Sequence, residues 1–156
     1  MLHLFDRLPG AARGGARFTA DRALDRIRER FGWEAAGYGS VAMGPGTSAI
    51  GPESVGIGSR ANAEGTWSVA VGHDAYAVST MDIAIGTMSH ADGNGAIAIG
   101  GATNWIAGWH KTEATGALST AVGTASLATG NFSSAFGYGA VAEGEERGRD
   151  GTELHA

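Results

Sequence analysis

The chain has no cysteine, only three prolines in 156 residues, and a single lysine, Lys111. Without cysteine there is no disulfide framework and no thiolate metal site. No run of 18 apolar residues occurs, so no segment reads as a transmembrane helix. No membrane contact is expected within this chain. The N-terminus, Met1-Leu-His-Leu-Phe-Asp-Arg7, lacks the apolar core of a signal peptide. Any export signal is therefore expected outside this sequence. Basic charge is scarce beyond the first segment. Residues 1–35 hold seven arginines against five acids, whereas residues 36–156 hold four basic residues against eleven acids. A surface that acidic does not suit the phosphates of nucleic acid.

Glycine is what the chain has in excess, with 27 residues. Such a content marks collagen, disorder or a repeat. No Gly-X-Y period runs through the sequence, and 43% of residues are hydrophobic and regularly placed. That leaves a repeat. Glycine falls at 44, 51, 58, 65, 72, 86, 93 and 100, with Ser79 in the missing slot, and resumes at 116, 123, 130, 137 and 144. Two residues before each slot stands an alanine, Gly56 excepted.

The seven-residue units alternate in kind, so the true period is fourteen. One kind includes Ser40-Val-Ala-Met-Gly44, Ser68-Val-Ala-Val-Gly72 and Asp82-Ile-Ala-Ile-Gly86; the other includes Ala61-Asn-Ala-Glu-Gly65 and Ser89-His-Ala-Asp-Gly93. Side chains alternate faces along a strand. The first and third positions of each unit are nearly all Ser, Ala or Thr and are read as the interior. Glycine supplies the freedom for the turn to the next strand. The second and fourth positions face outward. They are apolar in the first kind, and in the second they carry Asn62, Glu64, His90, Asp92, Glu113 and Glu143.

The expected fold class is all-β, a parallel β-roll or β-solenoid of fourteen-residue coils preceded by one short α-helix. Residues 36–144 form the roll. Residues 1–35 are an N-terminal segment with a helix at 19–31, capped by Thr19 and stopped by Gly32. Residues 145–156 read as a polar, disordered tail. The thin roll would expose a stripe of Met43, Val55, Ile57, Val69, Val71, Ile83, Ile85, Ile97, Ile99, Val122 and Phe136. Burying one large aliphatic side chain is worth roughly 1.5–3 kcal/mol, so such a stripe marks an interface. Cyclic self-association about this face is expected.

The array breaks between Gly100 and Gly116, sixteen residues where fourteen would keep phase. The surplus is expected to bulge out as a two-residue loop insertion. The break holds Trp105, Trp109, His110 and Lys111, the candidate binding patch, because exposed tryptophan is enriched at binding hot spots. The competing reading has both indoles covering the break or packing between copies.

Catalytic chemistry finds no foothold. Gly37-Tyr-Gly39 lacks the third glycine and following helix of a dinucleotide loop, and no Walker sequence exists. The period is neither the nine of calcium-binding β-rolls nor the six of hexapeptide acyltransferases. His73-Asp74 and His90/Asp92 lie on neighbouring coils, but a metal site needs convergent ligands with a second shell. The serines are all alike, whereas a nucleophile needs one unusual serine. No enzyme activity, catalytic residue, metal or cofactor is expected.

The Ser68-Val-Ala-Val-Gly72 pattern and its period resemble the YadA-like head repeat of trimeric autotransporter adhesins. The resemblance implies a left-handed parallel β-roll, a homotrimer about the apolar face, surface display on a Gram-negative outer membrane, and binding to host matrix or cell-surface components. The same repeat occurs in phage and other surface fibres. A second resemblance covers residues 1 to about 43. Leu4-Phe5-Asp6, Ala23-Leu-Asp-Arg-Ile-Arg-Glu-Arg-Phe-Gly-Trp33 and Gly39-Ser-Val-Ala42 look like the C-terminal tail of Y-family DNA polymerases. Leu2-His-Leu-Phe5 is similar to the end of a sliding-clamp-binding peptide, without its glutamine. This implies a chimeric or truncated DNA-repair polymerase tail fused to a repeat module.

Overall fold

A computed structural model describes residues 34–105 and 108–144. The helix expected at 19–31 and the tail 145–156 lie outside them. Three-residue strands alternate with two-residue strands along the chain. The three-residue strands are β2 (Val41–Met43), β4 (Val55–Ile57), β6 (Val69–Val71), β8 (Ile83–Ile85), β10 (Ile97–Ile99), β14 (Thr120–Val122) and β16 (Ser134–Phe136). They form one parallel sheet in coil order, here the wide sheet. The two-residue strands are β1 (Glu34–Ala35), β3 (Ser48–Ala49), β5 (Asn62–Ala63), β7 (Tyr76–Ala77), β9 (His90–Ala91), β13 (Glu113–Ala114), β15 (Leu127–Ala128) and β17 (Val141–Ala142). They form a second parallel sheet, the narrow sheet. The fold is the expected parallel β-solenoid of fourteen-residue coils.

The interior follows the alternation of the strands. Ala63, Ala70, Ala77, Ala84, Ala91 and Ala98 are fully buried, and so are Ser54, Ser68, Ser89 and Thr112. Only small side chains fit between sheets this close. The Oγ atoms of Ser40, Ser89 and Ser126 donate to the carbonyl of the glycine three residues earlier, at 2.7, 3.1 and 2.8 Å. Those of Ser54, Ser68, Ser119 and Ser133 are buried and make no hydrogen bond among the described residues. Main-chain bonds link successive coils, as in Val69 N–H to the Asp82 carbonyl and Tyr76 N–H to the Ser89 carbonyl, both 2.9 Å.

One interior slot departs from the small-residue rule. Asp82 is fully buried where other coils carry serine or alanine. Its carboxylate accepts from Ser79 N–H at 2.8 Å and from Ala96 N–H at 2.9 Å. In regular turns the residue opening the next wide strand donates to the glycine carbonyl three residues back, as Ser68 does to Gly65 at 3.2 Å. The turn before Ala96 runs through Asn94 and Gly95, both left-handed. Leu118 N–H takes the Gly93 carbonyl there at 3.3 Å, and Asp82 supplies the acceptor for Ala96 instead.

Glycine serves the turns in two ways. After the wide strands Gly44, Gly58, Gly72, Gly86, Gly123 and Gly137 hold positive φ of 116–137°, the backbone freedom expected of them. At Gly51 the backbone is not left-handed; a Cβ there would run into the carbonyl oxygen of Gly65 in the next coil. At both edges the second residue after the glycine is left-handed, and it is seldom glycine. Arg60, Trp67, Asp74, Met81, Met88, Leu118, Ala125 and Phe132 hold φ values of 53–60°. That conformation costs an ordinary L-residue roughly 1–2 kcal/mol, and it is retained because coil stacking fixes the turn.

The break is corrected as well. Ile97 pairs with Thr120 and His90 with Glu113, separations of 23 residues. Other paired coils are separated by 14, as in Val69 with Ile83. The insertion is therefore nine residues, not two. Gly100 ends a wide strand and Gly116 follows a narrow one, so the regular spacing between them is seven. The surplus folds as an antiparallel hairpin of β11 (Thr103–Trp105) and β12 (Gly108–His110).

Candidate binding surfaces

Two faces of the roll and the hairpin are the surfaces available for recognition. On the wide sheet the second and fourth positions point outward. Met43, Ile57, Ile85, Ile99 and Phe136 are exposed, and Val55, Val69, Val71, Ile83, Ile97 and Val122 are half-buried by their neighbours. Stacking in register makes two continuous apolar rows. Contiguous exposed apolar patches larger than a few hundred Å² are uncommon on soluble monomers and characteristic of interaction surfaces.

The narrow sheet carries a row of mixed chemistry. Asn62, Tyr76, His90 and Glu113 stand in register on successive coils. Glu64 Oε1 accepts from Asn62 Nδ2 at 2.8 Å and from the Tyr76 hydroxyl at 2.7 Å. The bond to Glu64 raises the Tyr76 pKa, with burial adding to it. The Tyr76 and His90 rings meet edge to face with centroids 5.8 Å apart. His90 Nδ1 lies 4.0 Å from Glu113 Oε1, and Lys111 Nζ lies 2.8 Å from the same oxygen. Burial lowers the His90 pKa, and the Lys111 ammonium lowers it further; Glu113, Asp92 and Asp82 pull the other way.

The four residues of the candidate patch are adjacent in the chain on and beside the hairpin. Register sets Thr103 opposite His110, Asn104 opposite Trp109 and Trp105 opposite Gly108. The side chains of Trp105 and Trp109 lie outside what the structure describes. His110 and Lys111 are exposed. Lys111 ties the hairpin's end to the narrow-sheet row through Glu113. Tyr76 belongs to that row although the sequence reading passed over it; its spacing of fourteen from Asn62 and His90 was the available signal.

The histidine–aspartate pairs do not converge. His73 and Asp74 sit at a turn, where Arg60 Nη2 bonds Asp74 Oδ2 and lies 3.2 Å from His73 Nε2. His90 faces Tyr76 and Glu113, whereas Asp92 accepts from Ser79 Oγ at 3.0 Å. Among the described residues no group of three or more His, Asp or Glu side chains is arranged to hold a metal.

Comparison with known proteins gives two separate findings. A stretch of 37 residues, 24% of this chain, is 65% identical to DNA polymerase IV 2 of Mesorhizobium japonicum (strain LMG 29417 / CECT 9101 / MAFF 303099). The match spans only 9% of that protein's length. No solved structure matches the chain. The YadA head domain repeat (2 copies) matches residues 35–55, 49–75, 77–103 and 114–145, leaving out most of the hairpin. Those segments take in well over half of the sequence and coincide with the coils, so the chain belongs to the YadA head domain repeat family.

Proposed function

We propose that the chain is a structural and adhesive module, the head of a homotrimeric surface adhesin displayed on the outer membrane, and not an enzyme. The observation that carries this reading is the continuous apolar stripe on the wide sheet. An interior of alanine and serine buries little apolar area per coil, and the large aliphatics all lie outside it. Covering the stripe by copies of the same chain around a shared axis supplies the missing burial. The polar narrow sheet then faces outward, with Trp105, Trp109, His110 and Lys111 at its margin, towards a host matrix or cell-surface component. Membership in the repeat family supports the same assignment. A solid-phase assay against a panel of extracellular-matrix components tests the adhesive role. Saturable binding that is lost in a Trp105→Ala/Trp109→Ala variant of unchanged melting temperature is expected. Unchanged binding with a lowered melting temperature would assign the indoles to packing.

The identity shared with DNA polymerase IV 2 favours one second reading. In it the N-terminal segment is a polymerase-derived tail that docks a sliding clamp through Leu2–Phe5. Retention of the chain on immobilised clamp, abolished by Leu4→Ala/Phe5→Ala, is the expected outcome of that reading. No retention removes it.

A further inference from the structure

We infer that the apolar column at one edge of the roll, Trp67, Met81, Leu118 and Phe132, is a self-association surface that packs against the far margin of the neighbouring protomer's apolar stripe. This rests on the trimer reading above and adds which surfaces meet. All four residues are more than half exposed. All four occupy the left-handed turn position that disfavours them and suits glycine or asparagine. Coil stacking fixes this backbone at both edges, but it does not call for large apolar side chains facing solvent at one of them; covering them is a gain that only a partner supplies.

The two edges of the roll differ. At the opposite edge the same turn position holds Gly46, Arg60, Asp74, Met88, Ala125 and Gly139, with Arg60 and Asp74 ion-paired. On the proposed edge the remaining slots are Gly39, Glu53 and Gly95, and Glu53 is satisfied by the Trp67 indole N–H at 3.0 Å. The column also continues the stripe. Each member lies two residues before the first outward position of a wide strand. Where that position turns polar, at Thr120 and Ser134, the edge carries Leu118 and Phe132.

A second copy is the partner that fits. Strands of one sheet are spaced by about 4.8 Å. The column consists of two pairs of residues one coil apart, Trp67 with Met81 and Leu118 with Phe132, separated by the Gly95 coil; it interdigitates with a surface of the same rise, and the stripe of another copy has that rise. A ring of three copies is heterologous and so uses two different surfaces on each protomer, here an edge and a face.

The absence of native cysteine makes disulfide mapping direct. Met81→Cys is combined with Ile85→Cys, and in parallel constructions with Val71→Cys or Ile99→Cys to sample a shift of one coil. Met81 sits at the turn before β8 and Ile85 at its far end; the three extended steps from residue 82 to 85 alone span roughly 10 Å, too far to bridge within one chain. Oxidation of at least one pair is expected to give covalent trimers, with neither single variant giving them. No cross-linked species in any pair, while sedimentation still finds three chains, overturns this inference and spares the trimer. A monomer in sedimentation overturns the trimer reading itself. As a second measurement, asparagine at Met81, Leu118 and Phe132 relieves the backbone strain there and leaves the Trp67–Glu53 bond intact. A merely local role predicts a melting temperature unchanged or raised. The inference predicts a fall of several degrees and weaker association.

Discussion

Replacing Asp82 with alanine isolates the one acidic or basic side chain buried among the described residues. The substitution leaves the buried Ala96 N–H and the part-buried Ser79 N–H, bonded to the carboxylate at 2.9 and 2.8 Å, without that acceptor. Each buried unsatisfied donor costs about 1–3 kcal/mol. Relief of the carboxylate's own desolvation offsets part of that, so a net loss of about 2–4 kcal/mol is expected. For an array of this size that corresponds to a drop in melting temperature of roughly 10–20 °C. Alanine itself fits the slot, since Ala96 fills it one coil later, so steric strain does not confuse the result. The internal control is Ser68→Ala, which removes a buried hydroxyl with no hydrogen bond and is expected to be neutral or slightly stabilising. Thermal denaturation followed by far-ultraviolet circular dichroism reads both. An Asp82→Ala variant melting within about two degrees of the parent, by the same scaling, would refute the role given to the carboxylate.

Three further outcomes follow from the same surfaces. The lowered His90 pKa means that the unfolded chain binds more protons than the folded one as pH falls through the unperturbed value, about 6.5. Stability should therefore be full above that value and decline as pH drops through it towards the folded-state pKa; thermal melts of parent and His90→Gln should diverge only in that window. Lys111→Ala removes a partly exposed ion pair with Glu113 and should cost less than about 1 kcal/mol, while proton NMR titration should find the His90 pKa raised. Deleting residues 103–111 restores the seven-residue spacing between Gly100 and Gly116, so the array should fold with its melting temperature maintained while matrix binding is lost.

Much of the fold was legible because the repeat states its own geometry. Alternation within Ser68-Val-Ala-Val-Gly72 assigned inside and outside correctly for each coil, and the alternation of units gave two sheets. The misjudged break shows where counting failed. Gly100 and Gly116 belong to different kinds of unit, and comparing them as equivalent hid seven of the nine inserted residues. The turns were legible only at one edge. Periodic glycine suggests positive φ, which holds after the wide strands, as at Gly72, yet at Gly51 glycine is demanded by the next coil's carbonyl, and the left-handed turn is borne by residues such as Trp67 and Leu118. Stacking between coils sets that conformation, and no propensity scale contains it. Asp82 was hidden in the same way. It occupies a serine slot without breaking the pattern, and its purpose emerges only from the irregular Asn94–Gly95 turn one coil away.

Self-association through the wide-sheet stripe is the central claim, and sedimentation equilibrium of the purified chain measures it directly. A single species at three times the protomer mass of 15.8 kDa is predicted, with Ile57→Glu/Ile85→Glu dissociating it and lowering its melting temperature. A cooperatively folded species at 15.8 kDa, unchanged in stability by those two substitutions, would contradict the account.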